Sequence, residues 1–237
     1  MTDERVMNIL AIAIILTLLL LSLIWRRRRR SVRSDYIRTY TFPPGLYEKL
    51  QKKRPDLSLK ECQLVGRALR QFFLGYLQSG CRFVSMPSQV TDDLWHEMIL
   101  YTRHYDSFCK KAFGRFLHHT PAVVLSRDRQ NNTGLRRIWW ITCREENINP
   151  RKPARLPLLF AIDKKLNIAD GFFYEADCRT LHKSGSTDTT GVPYCGGDFS
   201  SPDFNGDTDG FFGDWSDSGD SASDGGDGGC GGGCGGD

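Results

Sequence analysis

Residues 6–25, VMNILAIAIILTLLLLSLIW, form an apolar run without one charged side chain, and Arg26, Arg27, Arg28, Arg29 and Arg30 follow it directly. At about 1.5 Å per residue, a helix of this length reaches about 30 Å, the hydrocarbon thickness of a bilayer. The other flank carries only Asp3, Glu4 and Arg5. Basic flanks stay cytoplasmic, so the expected topology is a single pass with the N-terminus outside and the body inside. A cleaved secretory signal has its positive charge before the apolar stretch and small residues at its end. Here the charge comes after, and Ser22-Leu23-Ile24-Trp25 is no such cleavage site. Trp25 falls where an interfacial aromatic belongs. Trp25 and Arg26 to Arg30 thus form the expected membrane-surface set. The arginines can meet acidic lipid headgroups, at about 1 kcal/mol per basic residue near an anionic surface, or act only as a topology signal.

Charge divides the rest of the chain. From Asp198 onward there are ten aspartates and no Lys or Arg, so a formal net charge of +4 conceals a body at +14. An acidic, glycine-rich end of this kind lacks the apolar content to fold alone and can fold back over a basic body. The expected organisation is a transmembrane anchor with its arginine stop over 1–30, a juxtamembrane linker over 31–45, a helical globular domain over 46–195, and a disordered acidic tail over 196–237. The body is long enough for one ordinary core. Eight cysteines are scattered without a CxxC pair. In a reducing compartment they read as small buried residues rather than bridges.

The predicted fold is mainly α: one N-terminal transmembrane helix, a small helical cytoplasmic domain and the disordered tail. Helical spacing of Cys62, Val65, Leu69, Phe72, Phe73, Tyr76 and Leu77 predicts a helix over 59–78, capped by Asp56 or Ser58. Val90, Leu94, Met98, Tyr101, Tyr105, Phe108 and Ala112 step by threes and fours, which predicts one long helix over 90–113 ended by Gly114. Shorter helices are expected over 46–54 and 156–166. A further one over 133–147 competes with a buried strand at 138–141. No βαβ rhythm is present.

Reactive side chains are densest between 92 and 121, DDLWHEMILYTRHYDSFCKKAFGRFLHHTP, which holds four of the five histidines. Clustered His, Cys and Asp are the raw material of a zinc or iron site. On one unbroken helix His96 and His104 are about 12 Å apart along the axis and offset by about 80°, too far to share an ion. Asp92 and His96, at i and i+4, can share one, and His118 or His119 can return to them after the turn at Gly114. The candidate metal ligands are therefore Asp92, His96, His118 and His119. The competing reading is structural: His96 lies opposite the apolar stripe, Cys109 lies near its centre, and His118-His119 can cap a helix end. In the tail, Asp203 to Gly210 loosely follows an EF-hand loop but has Ser216 where the bidentate Glu belongs. Cys230 and Cys234 could take a soft metal or form a bridge.

D-D-L-W-H at 92–96, Thr102 with Tyr105, Phe108-Cys109, F-G-R-F-L-H-H-T-P at 113–121 and R-L-P-L-L-F-x-x-D at 155–163 resemble the uncharacterised bacterial glycine-rich domain-containing proteins. The resemblance covers most of the chain, and implies a membrane anchor, a glycine-rich end and a bacterial inner-membrane location, with no established activity. More distantly the block is similar to plant glycine-rich domain proteins, whose motif reads W-H-x-H; Met98 stands where the second histidine would be.

No phosphate-binding glycine loop, G-x-S-x-G or H-E-x-x-H occurs. The leading expectation is a membrane-anchored binding or scaffold module rather than an enzyme. The alternatives are a metal-binding protein or metal-dependent enzyme using the 92–119 block, and nucleic-acid binding by the basic body. The last rests on Arg127, Arg129, Arg136, Arg137, Arg144, Arg151, Lys152 and Arg155 around Trp139 and Trp140.

Overall fold

The computed structural model describes residues 2–119, 129–176, 194–196 and 199. Among them the chain is mainly helical. The helices are α1 (Thr2–Thr39), α2 (Leu46–Lys53), α3 (Leu59–Gln78), α4 (Gln89–Leu100), α5 (Thr102–Ala112), α6 (Arg129–Glu145) and α7 (Leu158–Lys165). Two short strands, β1 (Tyr174–Glu175) and β2 (Tyr194–Cys195), pair in parallel. The tail with its aspartates and CGGGC lies outside the described residues.

Helix α1 is long and apolar enough to cross a membrane: its most apolar window has a mean hydropathy of 2.8 and none of it is buried. It does not stop at the arginines. The stretch expected as a linker continues the same helix to Thr39, giving about 57 Å of unbroken rod. The last turns are held because they have something to bury. Ile37 is fully buried, and Tyr36 and Tyr40 pack their rings on Phe108 of α5 at 6.0 and 4.6 Å. Pro43-Pro44-Gly45 then turns the chain, with Gly45 at φ 82°.

Helix α3 is the central element, in contact with α1, α2, α4, α6 and α7. It starts in a capping box: Ser58 accepts from the Glu61 N–H, and the Glu61 carboxylate accepts from the Ser58 N–H at 2.7 Å. The seven residues of its predicted stripe are all buried. Gly75 lets α6 approach so closely that a Cβ there would lie 2.1 Å from Ile138 Cδ1.

The predicted helix over 90–113 is two helices, α4 and α5. Tyr101 leaves the helical region (φ −82°, ψ 59°) between them. The break is stabilised from outside, since the Tyr101 hydroxyl donates to Pro44 O at 3.1 Å. Its effect is to let both helices present bulk to one core. Trp95 and Met98 of α4 and Tyr105, Phe108 and Cys109 of α5 are each at most 1% exposed. Residues 138–141, ambiguous in the sequence, are helical within α6, with Trp139 fully buried against Phe160.

Candidate metal centre

The centre is built on the first turn of α4. Ser88 is the N-cap, accepting from the Thr91 N–H at 3.2 Å. A second anchor comes from α7. Asp163, 1% exposed, accepts from Ser88 Oγ at 2.8 Å, Gln89 N at 2.7 Å, Val90 N at 3.2 Å and Phe172 N at 2.9 Å. Burial raises the Asp163 pKa and these four donors oppose the rise. A carboxylate accepting from the free N–H groups of a helix start satisfies donors that have no partner within the helix. The turn that projects Asp92 and Asp93 is thereby fixed at both faces.

The two neighbouring carboxylates have opposite fates. Asp93 is neutralised: Lys53 Nζ lies 2.6 Å away and Arg54 2.7 Å away, and Arg54 also grips Asp170 with both Nη atoms at 2.5 and 2.7 Å. Asp92, only 3% exposed, has no Lys or Arg beside it among the described residues. It meets two imidazoles instead. His119 Nε2 is 2.9 Å from Oδ1, and His96 Nδ1 is 3.5 Å from Oδ2. The two rings lie 4.0 Å apart, and His119 is backed by the Trp95 indole at 4.6 Å. One potential ligand atom from each of Asp92, His96 and His119 fits within 4.8 Å of the others.

His119 reaches this place because α5 ends abruptly. Gly114, at φ 75°, turns the chain while its N–H and that of Phe113 both donate to Cys109 O. Residues 115–119 then run back over α4. A buried chain of hydrogen bonds holds them there: Trp95 Nε1 donates to the Tyr105 hydroxyl at 3.1 Å, which donates to Leu117 O at 2.6 Å. The Cys109 thiol also meets Tyr105 and the Leu117 backbone. Burial pushes the Cys109 thiol upward, which disfavours the thiolate that nucleophilic or ligand chemistry requires.

The structure therefore brings Asp92, His96 and His119 together and leaves one sequence candidate, His118, apart, as it does His104, which helix spacing already excludes as a partner of His96. His118 is exposed, set edge-on to Phe116 at 5.0 Å, and His104 is exposed on α5 beside Tyr101 at 6.2 Å. Trp95, Tyr105 and Asp163, which support the site, escaped the sequence reading as site residues. Trp95 lies off the heptad-like stripe, and nothing local links Asp163 to α4. The aromatic pair of the nucleic-acid reading is in the core: Trp139 is 0% and Trp140 7% exposed, so neither ring offers a stacking face. Arg127 and the tail's Asp203, Asp207, Asp209, Cys230 and Cys234 lie outside the described residues.

A family model described as UCP032817-like matches residues 32–199. No curated protein and no solved structure matches the chain.

Proposed function

The chain belongs to the UCP032817-like family, and we propose from its α1 helix and its clustered donors that it is a membrane-anchored metal-binding protein whose protein ligands are Asp92, His96 and His119. The observation that carries this reading is a buried carboxylate whose partners among the described residues are two imidazoles, one from its own helix and one from a returning segment. Two ligands about 2.0–2.1 Å from one zinc ion sit about 3.3 Å apart on a tetrahedral edge. His119 Nε2 is 2.9 Å from Asp92 Oδ1 and His96 Nδ1 is 3.5 Å from the other oxygen, Oδ2, with one donor atom from each residue lying within 4.8 Å of the others. Two histidines and one carboxylate suit zinc or ferrous iron and leave at least one coordination position open. When bound, such an ion supplies Lewis-acid activation of water or an open site for a small ligand. The protein's part is to hold the donors. Asp163 fixes the turn bearing Asp92, Trp95 backs the His119 ring, and the Tyr105–Leu117 bond sets the approach of His119. His96 faces solvent, which gives the open side an access route.

In this reading α1, long and apolar enough to cross a membrane, holds the centre beside a bilayer. The basic flank supports a cytoplasmic body and an external N-terminus, and the glycine-rich resemblance supports a bacterial inner membrane.

The test is elemental analysis of the full chain, purified in mild detergent without an affinity histidine tag, beside His96→Ala and His119→Ala. About one zinc or iron per chain in the wild type, lost in both variants, is the expected result. Wild-type protein that binds no added metal and keeps its melting temperature in chelator would refute the centre. His96 is half exposed, so its truncation should leave the fold intact.

A further inference from the structure

Where α1 enters the domain, three guanidinium groups converge on one thiol. Arg30 and Arg33 are one turn apart on α1 and share a face. Arg115 follows the turn at Gly114, and Cys81 sits in the α3–α4 connection with φ 58°. The Arg33 guanidinium lies directly over Gly114, where an added Cβ would be 2.4 Å from Nη2. Arg115, Arg33 and Arg30 all act electrostatically on the half-buried Cys81 thiol, and Arg115 acts likewise on the neighbouring Tyr76 hydroxyl. The neighbouring Arg82 is exposed.

Among the described residues no carboxylate balances this charge. Among the described residues none of Arg30, Arg33 and Arg115 enters an ion pair. Arg38, further along the same helix, does find Glu145 at 2.6 Å. The C-terminus of α5 cannot absorb the excess. A helix end carries about half a negative charge, and Lys110 and Lys111 already occupy its last turn. Asp35 is two residues from Arg33 and so about 200° around the helix.

The level of the cluster along α1 points to a source for a balancing anion. With Trp25 at the hydrocarbon boundary, Arg30 lies about 7–8 Å and Arg33 about 12 Å further along the axis. The headgroup layer of one leaflet is about 5–8 Å deep, and an arginine side chain reaches back across the difference. We propose that Arg30, Arg33 and Arg115, flanked by Arg82, form a docking site for the phosphate of an anionic phospholipid. Occupancy draws the C-terminal end of α5 and the α3–α4 connection onto the bilayer and covers Cys81. This site depends on α1 spanning the membrane and not on metal at Asp92.

Cys81 is its built-in reporter. The full chain is reconstituted into nanodiscs of pure phosphatidylcholine or of a phosphatidylcholine–phosphatidylglycerol mixture. Alkylation of Cys81 by a water-soluble maleimide is followed by mass spectrometry of its peptide. Labelling should be about tenfold slower in the anionic discs. Arg33→Gln/Arg115→Gln should abolish the difference, and Arg33→Lys/Arg115→Lys should retain most of it. Equal rates in the two lipids, or a difference that survives the glutamine pair while its melting temperature is unchanged, would overturn the site. Protection reproduced in phosphatidylcholine discs by inorganic phosphate would overturn the lipid assignment and leave a soluble-phosphate site instead.

Discussion

Removing one hydroxyl from the core should loosen the proposed metal centre without touching a proposed ligand. In Tyr105→Phe the ring remains, so packing against Phe116 and the surrounding core is kept. What disappears is the acceptor of Trp95 Nε1 and the donor to Leu117 O, both in buried hydrogen bonds. A buried polar group left without a partner costs about 1–3 kcal/mol. Two such groups put the loss at about 2–6 kcal/mol, with the lower part of the range reached where water enters to reach the Leu117 carbonyl. Leu117 is two residues from His119, so the same change frees the segment that presents a ligand. Guanidinium unfolding of the full chain in detergent, followed by tryptophan fluorescence, measures the first effect. A zinc or iron titration of the folded variant measures the second. A stability change below about 0.5 kcal/mol together with unaltered metal affinity would refute the argument that this hydrogen-bond chain positions His119.

Gly75→Ala should cost about 1–3 kcal/mol by overpacking against Ile138, because the new Cβ would fall 2.1 Å from Cδ1. Adding Ile138→Val removes that atom and should recover part of the melting temperature; no recovery would show that the clash lies elsewhere. Asp163→Ala strands the N–H groups of Gln89, Val90 and Phe172 and should cost about 3–5 kcal/mol. It should also weaken metal binding, whereas Asp163→Asn, which keeps an acceptor oxygen, should retain part of both; a neutral alanine variant would disprove the capping role. Hydrogen bonds from Arg54 hold Asp170 below the usual aspartate value. Folding therefore gains from this pair above about pH 4, the unfolded value, and loses that gain as pH falls through the lower folded value. Asp170 is largely exposed, so the effect is small. Asp170→Asn should flatten the acid side of a melting temperature–pH profile, and an unchanged profile would show that the pair is screened out.

The amino-acid sequence determines by itself whatever depends on local pattern. Charge-free apolar length makes residues 6–25 a membrane-crossing candidate. Periodicity delivers α3 with its stripe buried, and Ser58 with Glu61 marks its start. The i,i+4 spacing of Asp92 and His96 sets two donors on one helix face. Tertiary structure decided the rest, because the deciding contacts join residues far apart in the chain. Helicity over residues 31–39 depends on α3 and α5 being there to bury Ile37 and stack on Tyr36 and Tyr40, so a charged stretch that reads as a linker is a continuation of the apolar helix α1. The division of α4 from α5 rests in part on Tyr101 reaching Pro44. Periodicity cannot show a one-residue break that leaves the stripe's phase nearly intact. The choice between His118 and His119 turns on which ring the Tyr105–Leu117 bond aims at Asp92. Adjacent residues in an extended segment point to opposite sides, and only the fold says which side holds the carboxylate.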